Sequence, residues 1–206
     1  MKGLILKDLL NLKGTFKTLG VMMLLFTVIF IPQGNDFIFG IIIIMLAMMV
    51  ITTISYDDLA KWDTYALTMP VTRKEMVLSK YLVLGILTTS GAILSLLIGI
   101  IGTMIMGKSF SMEILAIIGV VFLIALVFGS LMLPLIYKFG AEKARLMLIL
   151  CVLIPMGIIF LLEKMNIPIP TTGNPWIYLF LLTAFTIGGL IFSFVISLGI
   201  YQKKEF

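Results

Sequence analysis

Six long runs of apolar, uncharged residues punctuate this chain, at about 18–31, 37–55, 81–106, 114–137, 146–162 and 176–201. A helix needs roughly 20 apolar residues to cross a hydrocarbon core of roughly 30 Å, and each run reaches or nearly reaches that length. The second run contains Ile41, Ile42, Ile43 and Ile44, which would favour a strand in water. In lipid a helix satisfies its own backbone hydrogen bonds and an isolated strand does not, so a helix is expected there too. Composition agrees: 61% of the residues are hydrophobic and 12% charged, against about 45–50% and about 25% in soluble domains. That excess excludes a soluble globular enzyme and a disordered chain. The expected fold class is all-α integral membrane, with six transmembrane helices forming a single domain over residues 1–206.

The residue inventory narrows the chemistry. Without histidine, catalysis, metal binding and proton relays based on imidazole are excluded. The lone Cys151 cannot form an intrachain disulfide or a thiolate zinc site. The net charge of +5 follows from membrane topology rather than from nucleic-acid binding.

Loop charges set the orientation. With the N-terminus in the cytoplasm, the inner segments hold Lys2, Lys7, Lys13, Lys17, Lys61, Arg73, Lys74, Lys80, Lys138, Lys143, Arg145, Lys203 and Lys204, whereas the outer loops hold only Lys108 and Lys164. Thirteen of the 15 basic residues therefore fall inside, which places both termini in the cytoplasm. The wide spread of the first four lysines, with no small-residue cleavage site after the first run, argues against a cleaved signal peptide. The outer loop 163–175 is too proline-rich for a continuous helix and is either a surface loop or a short re-entrant element.

Residues 1–17 carry an apolar stripe of Ile5, Leu9, Leu12 and Phe16, with Lys7, Asp8 and Lys13 assigned elsewhere on the helix. This pattern predicts an interfacial amphipathic helix, apolar face in lipid and lysines toward anionic headgroups. It suits a membrane anchor or an elbow that meets a partner, and periodicity serves both.

The longest polar stretch, 56–80, lies between spans two and three. Ser55 with Asp58 resembles a capping box, and Leu59, Trp62, Ala66 and Leu67 fall on one helical side. Pro70 breaks that helix, and Thr72-Arg73-Lys74-Glu75 is a second capping box that starts the third span. The loop thus predicts a short helix presenting Trp62 and Tyr65 beside charges of both signs. Such aromatics suit a protein interface or a position among lipid headgroups.

The same segment resembles the first cytoplasmic loop of small bacterial permeases of the ABC type-2 family, at Tyr56, Asp57, Asp58, Lys61, Trp62, Asp63, Tyr65, Pro70, Val71, Arg73, Lys74, Glu75, Ser79, Lys80 and Tyr81. The opening Leu6-Lys7-Asp8-Leu9 and the six-span plan are similar to that family as well. Size and loop most resemble permeases of phenol-soluble-modulin and antimicrobial-peptide exporters. The resemblance implies a permease subunit in the bacterial cytoplasmic membrane that exports an amphipathic peptide or lipid-like substrate. It implies no catalytic residue, cofactor or metal on this chain. ATP and Mg would be bound by a separate nucleotide-binding ATPase subunit. The pathway would need a second permease copy or paralogue, surrounded by membrane lipids. It also implies that the loop is a coupling helix, with Tyr56, Asp57, Asp58, Lys61, Trp62, Asp63, Tyr65, Arg73, Lys74 and Glu75 receiving the ATPase. The alternative is a non-transporting membrane scaffold or peptide sensor.

Further features bear on function. Gly102 through Ser109 matches the spacing of a phosphate-binding loop, but it lies at the outer end of an apolar run with no βα context, so nucleotide binding there is rejected. No charge lies near the middle of any run, which argues against an ion-coupled transporter. Gly91, Ser95, Gly99 and Thr103, and then Gly189, Ser193 and Ser197, recur every four residues. Small residues at this spacing allow close helix approach, either within the bundle or at a dimer contact. Pro134 and Pro155 are expected to bend the fourth and fifth spans. The 15 methionines would suit an amphipathic substrate or simply a lipid-facing surface.

Overall fold

The computed structural model describes residues 1–30, 37–66, 68–105, 107, 111–140, 143, 164 and 175–204. The expected span at 146–162 with Cys151 and Pro155, the loop residues 163 and 165–174, and Leu67, Lys108 and Ser109 lie outside the described residues. Seven helices occur among those described: α1 Lys2–Asn11, α2 Lys13–Phe30, α3 Phe37–Leu59, α4 Trp62–Ala66, α5 Arg73–Ile105, α6 Met112–Phe139 and α7 Pro175–Gln202. Five of them, α2, α3, α5, α6 and α7, are long and apolar enough to cross a membrane. The isoleucine run is helical, inside α3.

α3 is the centre of the bundle. Its Ile42, Ile43, Leu46, Val50 and Ile54 are buried among α5 and α6. The close approaches occur where side chains are small. A Cβ on Gly91 of α5 would lie 3.1 Å from the Ile43 Cα, and one on Gly129 of α6 would collide with the Leu84 side chain. Ser95 donates to the Phe39 carbonyl at 3.0 Å. The small-residue stripe of the third span therefore packs inside the bundle at Gly91 and Ser95. In α7, Ser193 donates to the Ser130 carbonyl of α6, and Tyr81 of α5 hydrogen-bonds to Ser193 at 2.6 Å and Ser197 at 2.8 Å. α2 and α7 keep most of their apolar surface outward, including Val21, Leu24, Val28, Phe180, Phe185 and Phe192.

With 33 residues, α5 is about 50 Å long, so it extends well beyond a hydrocarbon core of roughly 30 Å. Its protruding start is capped as expected. Thr72 N–H and Oγ1 both donate to Glu75 Oε2 at 2.9 Å, and Glu75 N–H donates back to Thr72 Oγ1 at 3.2 Å.

Three expectations are corrected. Ser55 does not open a helix: α3 runs unbroken through it to Leu59, and the Ser55 hydroxyl bonds the Ile51 carbonyl one turn back at 2.9 Å. The entry segment divides at Leu12 rather than near Lys17, so α2 already begins at Lys13. Finally, the apolar face of α1 does not lie in lipid. Leu12 is buried, and Ile5, Leu9 and Phe16 pack on the main core. Asp8, three residues after Ile5 and four before Leu12, is buried on the same side of α1 and meets its charged partners there.

Candidate functional site: the charged end of the bundle

α1, the end of α3, α4, the start of α5 and the end of α7 meet at one end of the bundle. Leu4, Trp62, Val71, Tyr137 and Leu198 pack around Ala66, Met76, Val77 and Tyr201. Arg73 donates to the Gln202 carbonyl, and Lys204 lies 3.7 Å from Asp63. The first and last described helices therefore reach the same end of the bundle.

Inside this junction lie four charged residues. Lys80 Nζ contacts Asp8 Oδ1 and Oδ2, each at 2.8 Å, and Asp57 Oδ2 at 2.6 Å, with Thr53 Oγ1 at 3.5 Å. Lys7 Nζ contacts the other Asp57 oxygen at 2.6 Å and Asp8 Oδ1 at 3.2 Å. Asp8 is 1% exposed, Asp57 6% and Lys80 7%, so both carboxylates and one ammonium are withdrawn from water. Two positive and two negative charges alternate and sum to zero, which is what makes such burial tolerable. The cavity left beside them, bordered by Trp62 and Tyr201, is about 20 Å³, room for about one water.

The cluster is joined to α4 by an aromatic contact. Lys7 Nζ stands 4.4 Å from the centre of the Trp62 ring, a cation–π geometry. The Trp62 ring is in turn 5.6 Å from Tyr65. The turn into α4 is made by Lys61, whose φ of 48° is left-handed, and Thr64 Oγ1 ties it by donating to the Lys61 carbonyl at 2.8 Å. Ala66 is fully buried, so α4 lies down on the bundle, while Tyr65 is 58% exposed.

The structure sorts the ten residues expected to receive a partner. Tyr56, Asp58, Lys61, Tyr65 and Lys74 are exposed. Trp62 is half-buried and held by Lys7, so it is a support as much as a displayed anchor. Asp57 points into the ionic cluster, Asp63 faces Lys204, Arg73 reaches α7, and Glu75 closes its cap. The sequence pattern did not single out Lys80 or Asp8 as a pair. The available signal was a carboxylate on the apolar face of α1 and a lysine two turns into a membrane-bound helix.

The phosphate-loop look-alike is helical where it is described. Gly102 to Ile105 form the last turn of α5, with Thr103 Oγ1 bonded to the Gly99 and Ile100 carbonyls. A phosphate loop precedes its helix, whereas this stretch ends one. Among the described residues, no group of three or more His, Cys, Asp or Glu could hold a metal ion.

A family model described as an ABC-2 family transporter protein matches residues 3–202. The chain belongs to the ABC-2 transporter family. No curated protein and no solved structure matches it. ABC-2 members are typically the non-catalytic, membrane-spanning subunits of ABC transporters, which implies an ATPase on a partner subunit. At the charged end of the bundle the short helix α4 carries the exposed Tyr65.

Proposed function

We propose that this ABC-2 subunit is an exporter permease, coupled to its ATPase through α4. The observation that carries the reading is the connected path from an exposed aromatic to a buried ion cluster. Tyr65 packs against Trp62 with the rings tilted, Trp62 covers Lys7, Lys7 pairs with Asp57, and Asp57 shares Lys80 with Asp8. An ATPase that seats Tyr65 and moves α4 would move Lys7 and Asp57 with it. The Lys80 pairs are short and buried and Lys7 is largely covered, so that displacement would pass to α1 and α5 rather than be absorbed by solvent.

In this reading the charged end faces the cytoplasm, as the distribution of Lys and Arg favours. The ATPase binds ATP and Mg, and this chain supplies the path. A second copy or a paralogue completes that path in a bacterial cytoplasmic membrane. The substrate class is an amphipathic peptide or lipid-like molecule moved outward, as in the phenol-soluble-modulin and antimicrobial-peptide exporters that the loop resembles. The methionine-rich apolar surface, with Met22 and Met104 outward, supports that class. The test is co-purification with candidate ATPases and measurement of hydrolysis with and without amphipathic peptide. A scaffold or peptide sensor would bind peptide with no associated ATPase.

A further inference from the structure

We propose that the groove between α2, α3 and α5 is a binding site for one anionic phospholipid, with an acyl chain in the groove and the headgroup on Lys13 and Lys17. This inference does not depend on the exporter reading.

The groove has a volume of about 340 Å³. Phe16, Leu19 and Met23 form one wall, Ile86 and Leu94 the other, and Leu46 the floor. Gly20 of α2 lines it, and an added Cβ there would meet nothing within 4 Å, so the slot is open at that point. From Ile86 to Leu94 it runs about 12 Å along α5, close to the depth of one leaflet of a core roughly 30 Å thick. A single acyl chain has that length and apolar character, and Leu94 and Ile86 are partly exposed along the open side through which it would enter.

The mouth of the groove supplies the charge. Lys13, Phe16, Gly20 and Met23 follow one another at spacings of three, four and three, so Lys13 begins the same face of α2 that lines the groove. Lys17 lies one turn further along, on the flank of α2 adjoining that face. Both lysines are exposed, and among the described residues neither forms an ion pair. Lys7 and Lys80, by contrast, are neutralised by Asp8 and Asp57. Two unneutralised cations at the headgroup end of an acyl-sized slot complement an anionic lipid and discriminate against a zwitterionic one.

The experiment uses the full chain in phosphatidylcholine nanodiscs doped with a lipid carrying a photoactivatable group in its acyl chain, either phosphatidylglycerol or phosphatidylcholine. Cross-links are mapped by mass spectrometry. Phosphatidylglycerol should label Met23, Ser90 and Leu94 above the outward face of α7, and above the phosphatidylcholine probe. Lys13→Gln and Lys17→Gln should each lower that preference about fivefold. Gly20→Leu should reduce groove labelling to the α7 level for both probes, and the two lysine variants keep the test decisive if Gly20→Leu fails to fold. Equal labelling by the two lipids, or a preference unchanged by both lysine variants, overturns the proposal. So does loss of groove labelling on adding an amphipathic peptide, which would assign the slot to substrate instead. No arm requires an ATPase, so the result is independent of whether the chain exports.

Discussion

The ammonium of Lys80 lies 2.8 Å from each carboxylate oxygen of Asp8, joining residues 72 positions apart in the chain. That contact turns an entry helix, which on its apolar stripe would rest in lipid, into a structural part of the bundle. It also gives α1 a fixed relation to α5 and, through Asp57, to the end of α3.

Removing one charge should be far worse than removing a balanced pair. Lys80→Met leaves Asp8 and Asp57 sharing only Lys7, and should destabilise the chain by about 3–5 kcal/mol. Adding Asp8→Leu restores neutrality, with Lys7 and Asp57 still paired, and should recover most of that loss. Thermal unfolding of the purified variants checks this. Equal stability of Lys80→Met and the unaltered chain would show that the cluster is not a structural tie.

The α5–α6 crossing makes a steric prediction. A methyl group at Gly129 collides with the fully buried Leu84, so Gly129→Ala should cost about 1–3 kcal/mol. In a Leu84→Ala background the same change should cost much less, giving a coupling of about 1 kcal/mol or more in a double-mutant cycle. Additive losses would place the crossing elsewhere.

Orientation is tested by labelling single cysteines after Cys151→Ser. A cysteine at Asp36 should react with an impermeant maleimide from outside, and one at Arg73 only after permeabilisation. The structure places Arg73 and Gln202 together, so cysteines there should behave alike. Outside labelling at Arg73 contradicts the inward placement of the charged end.

The parts of this architecture that are local in sequence were legible before the structure. Apolar run length gives α3, α5, α6 and α7, and the reciprocal Thr72–Glu75 cap is written in four consecutive residues. Gly91 and Ser95 announce a close helix contact, since small residues have that use in lipid. Long-range pairing was not legible. Asp8 lies in α1, Asp57 in α3 and Lys80 in α5, and nothing in one sequence says which distant charges meet. Charge counting treated Lys80 and Lys7 as solvated topology markers, although both are committed to aspartates. The Ser55 cap failed for a related reason: the hydroxyl has an equally good local acceptor one turn back, so the helix continues through it.

The central claim is that α4 couples a partner ATPase to this bundle, and Tyr65 tests it most directly. Tyr65 is the exposed aromatic of α4, and its removal leaves Trp62 on Lys7 and the ion cluster intact. An aromatic anchor at the centre of an interface is commonly worth about 2 kcal/mol or more, roughly thirtyfold in affinity. The measurement is the dissociation constant between the cognate ATPase and nanodisc-embedded Tyr65→Ala, with peptide-stimulated hydrolysis recorded in parallel and thermal unfolding as the control for fold. The account predicts binding about thirtyfold weaker, or hydrolysis no longer stimulated by peptide, with an unchanged unfolding midpoint. Unaltered affinity together with unaltered stimulation would contradict it.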